Sequence, residues 1–277
     1  MRTTAALVLA AITCSTAFAE DNPSMAAYSK FWRDSSYCRQ ECINLAKADR
    51  GVIRAKVDGK WQEFKVRTLS DKFIKWNLDK RLESLEGMKK EQMPNFAGPH
   101  SGMVASRGFK RNDSQFQINN AVKGMGFLPT AEALPVLLAE LEATKDSSDG
   151  YKLDWLTKLY SQRRDLLDYT KQASLELYAT PEFATHTFLN QMADPGVSIV
   201  FLDMPSYEVR AIAQLLHPRD PGLTPYQRQA VAYVNGIHDY FHGRAPRQSI
   251  VAIYHVIEVF DNSPGRAKGK RVVPPLP

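Results

Sequence analysis

The pattern of apolar and polar residues changes twice along this 277-residue chain. An unbroken apolar stretch near the amino terminus is followed by a half with helical and alternating periodicity. Short apolar runs that alternate with amphipathic segments then fill the rest of the chain. The pattern predicts an α+β protein, with a helix and a β-hairpin in the N-terminal half and a small α/β unit with a mainly parallel sheet in the C-terminal half.

The first nineteen residues have the features of a secretory signal peptide. A positive charge at Arg2 precedes the apolar run 5–12, and Ala17 and Ala19 are small residues of the kind that signal peptidase accepts. Cleavage after Ala19 is expected, which predicts a periplasmic or secreted protein. The apolar run is too short to span a bilayer and no later run is longer, so the sequence predicts no transmembrane segment.

The N-terminal half, residues 20–128, combines helical stripes with one hairpin. The dipeptide Asp58-Gly59 favours the left-handed backbone of a tight turn between two alternating segments. The predicted elements are a helix around residues 28–45, hairpin strands 52–57 and 61–67, a helix over 71–90, and a loop over 94–129. A loop of this length is unusual inside one domain, so we interpret it as a domain boundary.

The C-terminal half, residues 129–265, alternates β-branched runs with amphipathic helices. The predicted strands are 175–178, 197–203 and 250–260, and the predicted helices are 134–144, 153–169, 182–192, 205–216 and 224–242. Thr224 and Gln227 have the spacing of a capping box at the start of the last helix. Such alternation favours parallel strands joined by right-handed crossovers. A basic, proline-rich tail, 266–277, follows.

Two cysteines, Cys38 and Cys42, remain after the predicted cleavage. An oxidising compartment favours a disulfide between them. In a regular helix, however, the two Cβ atoms would lie about 6 Å apart, further than a relaxed disulfide allows, so the helix would have to be distorted there. A Cu(I) site and a redox pair are the other interpretations of two neighbouring thiols.

Two histidines four residues apart form the most specific chemical motif. On a helix, His238 and His242 would point to the same place, which is the geometry of helical zinc sites. A third ligand is needed, and the candidates are His255, His217 and Glu258. Structural packing and helix-dipole pairing are the alternative interpretations of the two imidazoles.

A second candidate site follows from the predicted parallel sheet. Open α/β sheets bind ligands beyond the carboxyl ends of their strands. The residues that would lie along this edge, and so form a ligand crevice, are Thr180, Asp203, Ser206 and Asp261. For Asp203, capping of the following helix is the alternative interpretation.

The charge balance bears on the partners. The formal net charge of +6 suits peripheral contact with an anionic membrane surface. Lysines and aromatic residues interleave between Lys56 and Trp76, as they do in nucleic-acid binding proteins. Acidic residues such as Asp58 and Glu63 interrupt this patch, so we predict no nucleic-acid partner.

Two classes of function remain. The sequence has neither a nucleotide-binding fingerprint nor a nucleophile elbow. We therefore expect a non-enzymatic accessory or binding component of the cell envelope, with an envelope protein as its partner. The alternative is a metal-dependent periplasmic hydrolase, with His238 and His242 as zinc ligands and Asp239 or Glu258 as the base or as a residue that orients a ligand.

Overall fold

A computed structural model describes residues 29–93, 95, 97–112, 114–265 and 269–276. The predicted signal peptide and part of the basic tail lie outside these ranges. Within them, no helix has the length and apolarity needed to cross a membrane. This agrees with the sequence prediction for this part of the chain.

The described residues form thirteen strands and five α-helices. In chain order the strands are β1 (Trp32–Arg33), β2 (Tyr37–Cys38), β3 (Ile43–Asn44), β4 (Val52–Val57), β5 (Lys60–Lys65), β6 (Ser101–Arg107), β7 (Ile118–Gly124), β8 (Gly126–Pro129), β9 (Leu167–Glu176), β10 (Gly196–Phe201), β11 (Tyr207–Leu216), β12 (Ile250–Asp261) and β13 (Lys270–Val273). The helices are α1 (Asp71–Lys89), α2 (Leu134–Thr144), α3 (Asp149–Gln162), α4 (His186–Ala193) and α5 (Pro225–His242).

The main sheet is antiparallel, so the prediction of a mainly parallel sheet in the C-terminal half is wrong. Its strands are hydrogen-bonded in the order β7-β6-β10-β11-β12-β9-β8, with β13 beside β12. Every neighbouring pair is antiparallel. The difference arises at β11, because the sequence pattern predicts a crossover helix for this segment. A short turn joins β10 to β11 instead, and this reverses the direction of the chain.

The residues of β11 explain why the pattern misled. From Ala211 to Leu216 every side chain is buried, so both faces of the strand are covered. Continuous apolar runs of this kind occur in buried strands and in buried helices alike, and periodicity cannot separate the two. The hydrogen bonds of this segment to β10 and β12 show that it is a strand.

The segment predicted as a boundary loop contributes three strands to the same sheet. Strands β6 and β7 form a hairpin with seven paired residues on each side. On β7 the outward side chains Ile118 and Val122 are exposed, which weakened the alternation of polar and apolar positions. Only Met125 separates β7 from β8, so the two edges of the sheet are consecutive in the chain and the sheet curls back on itself. The sheet thus includes strands from both sides of the predicted boundary at residue 128.

The N-terminal hairpin is confirmed, whereas the helix predicted around the cysteines is wrong. Strands β4 and β5 pair over six residues each, and Asp58 and Gly59 have the left-handed φ angles that this turn requires, 54° and 75°. Short strands β1, β2 and β3 replace the predicted helix. Ile53 and Ala55 of β4 pack on Ile212 of β11, so the small three-stranded sheet covers part of the main sheet.

Helix α1 closes one part of the core with aromatic side chains. The ring of Phe73 lies 5.4 Å from that of Phe201 and 5.2 Å from that of Tyr207, both edge to face. Trp76 lies 5.2 Å from the same tyrosine. Edge-to-face contacts of this kind add to the stabilisation from apolar burial. They fix the helix against the β10–β11 turn.

The helix predictions succeeded where local signals were strong. The bounds of α2 are those predicted, and α1 ends one residue earlier than expected. The predicted helix 153–169 instead ends at Gln162, and β9 starts at Leu167. At the start of α5 the capping box is present, with Gln227 N donating to Thr224 Oγ1 (3.2 Å) and Thr224 N donating to Gln227 Oε1 (2.8 Å).

We predict that Thr224→Ala lowers the free energy of unfolding by about 1 kcal/mol, because an N-terminal amide of α5 loses its side-chain acceptor. Urea unfolding of the two proteins measures the difference. Thr224→Ser retains the hydroxyl and is expected to stay within about 0.5 kcal/mol of the unsubstituted protein. Equal loss in both variants would contradict the capping role.

Candidate functional site

The two predicted histidine ligands lie together at the end of α5. The ring centroids of His238 and His242 are 4.9 Å apart, with 41° between the ring planes. His238 is half-buried and His242 is exposed. Although much of His242 is exposed, the protein atoms around its ring lower its pKa by desolvation, and repulsion from His238 lowers it further. Both imidazoles therefore face the same region, as their spacing on the helix requires.

The structure does not bring His255 to this pair. His255 is buried in β12, and its Nε2 lies 2.9 Å from Gln214 Oε1. Its neighbour on β9 is Lys171, whose Nζ lies 5.9 Å from the ring of Tyr226 at the start of α5. His238 lies twelve residues after Tyr226 on α5, which is about 18 Å along a helix. His255 is therefore near the start of α5, whereas His238 is near its end.

The other candidates for a third ligand have different partners. Glu258 accepts a hydrogen bond from Arg271 Nη1 at 2.9 Å. His217 packs edge to face on Trp32, with 5.4 Å between the ring centroids. Over the described part of the chain, no three His, Cys, Asp or Glu side chains converge in a way that could hold a metal ion. Zinc binding stays a prediction that rests on two imidazoles.

The four residues of the predicted crevice are divided between two places. Asp203 and Ser206 lie in the β10–β11 turn, and Asp261 is paired with Tyr207 at the start of β11. Thr180 follows β9, whose last residues pair with the opposite end of β12. The antiparallel direction of β9 causes this separation, since a parallel strand would have ended at the same edge.

The three residues that do lie together make mainly local hydrogen bonds. Asp261 Oδ1 accepts from Ser263 N at 3.0 Å, and Asn262 N donates to Ser206 O at 2.8 Å. Asp203 Oδ2 accepts from the indole nitrogen of Trp76 at 2.9 Å, which joins the turn to α1. These contacts hold the turn in place, and Asp203 does not cap a helix because β11 follows it.

Both cysteines are buried free thiols in the structure. Burial raises the pKa of Cys38 to about 12 and that of Cys42 to about 11. Cys42 Sγ lies 3.4 Å from the carbonyl oxygen of Met192. Since the thiolate is the nucleophile and the metal ligand, these protonated thiols are poorly suited to either chemistry. The disulfide stays a prediction.

Sequence reasoning missed a buried arginine, Arg81 of α1. Only 7% of its surface is exposed. Its Nε donates to Asn77 Oδ1 (2.7 Å), and its Nη2 donates to the carbonyl oxygens of Pro99 (3.0 Å) and Met125 (2.6 Å). Among the described residues, no carboxylate lies within ion-pair distance of this guanidinium. The buried positive charge is therefore balanced by carbonyl dipoles and by the rings of Phe127 and Tyr160, whose centroids lie 5.7 Å and 5.6 Å from the guanidinium carbon.

His100 follows Pro99, one of the two residues whose carbonyl groups hold Arg81. Its carbonyl oxygen accepts from Met125 N at 2.7 Å, next to the two carbonyl groups that hold Arg81. Surrounding protein atoms lower the pKa of its imidazole, and the charges of Arg81 and His242 lower it further. Because His100 is still exposed to solvent, hydration offsets part of the burial effect. We therefore group His100 with Arg81 and the histidine pair.

We call Arg81, His100, His238 and His242 the basic cluster. One carboxylate is close to it: Asp239 Oδ1 lies 3.5 Å from His238 Nδ1 and also accepts from Ala245 N at 3.1 Å. One sequence signal pointed to the cluster. Arg81 occupies the same face of α1 as Leu78 and Leu85, so a charge interrupts an otherwise apolar stripe.

Comparisons with known proteins do not assign this chain to a family. No protein-family profile matches the sequence, and no curated protein matches it. Among solved structures, the crystal structure of tagged HupZ from Group A Streptococcus matches with 15% identity and a TM-score of 0.35, over 61% of this chain and 90% of that one. A likeness at this level carries no argument about fold or ligand. The described structure is thus a curled antiparallel sheet with five helices and a basic cluster beside the β7–β8 junction.

We predict that His255 makes stability depend on pH. Burial and then the charge of Lys171 lower its pKa to about 3, so folding favours the neutral ring. The stabilisation is complete above the unfolded pKa of about 6.5 and is lost as the pH falls below it. Between about pH 7 and pH 5, urea unfolding should show a loss of about 2 kcal/mol that His255→Gln lacks. The same loss in both proteins would contradict this origin.

Proposed function

We propose that this protein is an exported binding protein that takes a small anion at the basic cluster. The observation that supports this most strongly is the buried guanidinium of Arg81 without a carboxylate partner among the described residues. Burial of an unpaired charge is costly, and an anionic ligand would compensate for it. Of the three guanidinium nitrogens, Nη1 makes no hydrogen bond to the described residues and is the one left to contact a ligand.

The three histidines give the site a charge that depends on pH. When the imidazoles are neutral, Arg81 supplies the permanent positive charge of the cluster. Each imidazole that takes up a proton adds one positive charge and a second N–H donor. A bound anion would favour these protonated forms, so affinity for an anion is expected to rise as the pH falls.

Metal binding is the second candidate function, because the two rings of α5 lie 4.9 Å apart. Zinc requires neutral imidazoles, so its affinity falls as the pH falls. Arg81 would repel a cation bound next to His100, which favours the anion over the metal. A metal-dependent hydrolase would also need a base, for which Asp239 is the residue next to the pair. The two functions therefore predict opposite effects of pH.

The proposal also retains the export that the first nineteen residues predict, and an envelope protein as partner. A protein of this kind would act outside the cytoplasm as a binding or accessory component. Cleavage after Ala19 removes Arg2 and leaves 35 basic against 30 acidic residues, and this net charge of +5 is compatible with peripheral contact with an anionic membrane surface.

We predict that sulfate binds more tightly at about pH 5.5 than at pH 7.5, by about tenfold, because the imidazoles gain protons. Sulfate is a suitable probe because its own charge is the same at both values. Isothermal titration calorimetry measures the affinity. A His100→Gln/His242→Gln double variant should keep only the part of this dependence that His238 contributes. Arg54→Gln is the control, because it removes an exposed charge over Trp61 on the small sheet, and it should keep the full pH dependence.

A separate titration with zinc distinguishes the two functions. Zinc binding that weakens at the lower pH, together with no binding of sulfate, would contradict the anion site and support the metal site. If the double variant binds sulfate with the same affinity and the same pH dependence as the unsubstituted protein, the basic cluster is not the binding site.

We predict that the native protein begins at Glu20, since the small residues Ala17 and Ala19 define the cleavage site. Mass spectrometry of the protein from its native cell measures this directly. Detection of Met1 in a cytosolic fraction would contradict export and leave the anion site untouched.

A further inference from the structure

A second polar cluster lies on the face of the curled sheet that α4 covers. Gln172 of β9 is paired with Tyr254 of β12, and Glu176 lies on the same face of β9 four residues further on. From α4, the amide nitrogen of Gln191 lies 3.3 Å from the hydroxyl oxygen of Tyr254. From β7, Lys123 Nζ donates to Glu176 Oε2 at 2.7 Å.

Several atoms of this cluster are buried without a partner. They are both amide atoms of Gln172, Oε1 of Glu176 and Oε1 of Gln191. None of the three residues is more than 1% exposed. A buried polar atom that makes no hydrogen bond destabilises a protein, and native structures tolerate few of them. Four such atoms on one face of the sheet, two of them on the glutamine that is paired with Tyr254, therefore point to bound hydrogen-bonding partners.

The strands around the cluster are not hydrogen-bonded to one another on the side where the two edges of the sheet meet. Strand β7 is hydrogen-bonded to β6, and β9 is hydrogen-bonded to β12 and β8, so no ladder joins β7 to β9. The ion pair between Lys123 and Glu176 spans this gap. Its lysine side chain is 12% exposed, and its carboxylate is 1% exposed. The pair therefore extends from the protein surface to the buried cluster.

Charge and donor count define what the partner is. Lys123 and Glu176 neutralise each other, so an additional ion of either sign would be unbalanced. Three of the four free atoms are oxygens and one is an amide nitrogen, so the partner must donate and accept. Buried water does both and makes about three hydrogen bonds to groups of this kind.

We propose that ordered water molecules bind between β7, β9 and α4, and that they reach Gln172 and Gln191 past the Lys123–Glu176 pair. The water completes the hydrogen bonding of the cluster at the place where the two edges of the sheet approach each other. This site is separate from the basic cluster in its residues and in its ligand.

The sign of a stability change tests the proposal. Methionine has nearly the length of glutamine, so Gln172→Met removes both free amide atoms with little change in packing. If these atoms had no partner, their removal would raise Tm. With bound water, the substitution breaks hydrogen bonds and is expected to lower Tm by about 3 °C. Gln117→Met, on the exposed residue just before β7, is the matched control and should leave Tm unchanged.

Oxygen-17 magnetic relaxation dispersion provides the second measurement, because it counts long-lived internal water. The unsubstituted protein should show such water, and Gln172→Met should lose at least one molecule. A raised Tm, or the absence of long-lived water in the unsubstituted protein, would overturn the proposal even if the variant failed to fold. Neither result depends on whether sulfate binds.

Discussion

The closure of the main sheet through Met125 is the constraint on which the rest of the structure depends. This residue is buried, and it separates a strand paired with β6 from a strand paired with β9. The space for its side chain comes from Gly102, where a Cβ atom would lie 2.8 Å from Met125 Cγ and 2.9 Å from Ile199 Cγ2. No larger residue fits there without displacing its neighbours.

The same junction organises the candidate site. The amide of Met125 donates to His100, and its carbonyl oxygen accepts from Arg81. The backbone of one residue therefore holds two members of the basic cluster while its side chain fills the core. The site is built where the fold is most constrained, which fixes the guanidinium of Arg81 and the backbone of His100.

Local signals in the sequence predicted the elements that depend on local interactions. The turn at Asp58-Gly59 and the capping box at Thr224 were both found where the residues indicated. The direction of the strands could not be predicted in this way, because a buried strand such as β11 and a buried helix share one apolar pattern. This error produced the wrong sheet, and the antiparallel direction of β9 separates Thr180 from Asp261.

Only part of the candidate site could be predicted from the sequence, because its other residues come together through long-range contacts. The spacing of His238 and His242 is a property of one helix, so the sequence alone placed the rings together. Arg81 and His100 come from α1 and from the segment before β6, and no local pattern in the sequence relates these positions to the end of α5. Only the charge of Arg81 in an apolar stripe pointed to this neighbourhood.

The buried thiols of Cys38 and Cys42 give the N-terminal segment a built-in reporter. Each thiol is shielded by packing and held in its unreactive protonated form. An alkylating reagent can therefore modify them only when the segment separates from the main sheet. The labelling rate of the reduced protein thus follows whichever opening, local or global, exposes this segment most often.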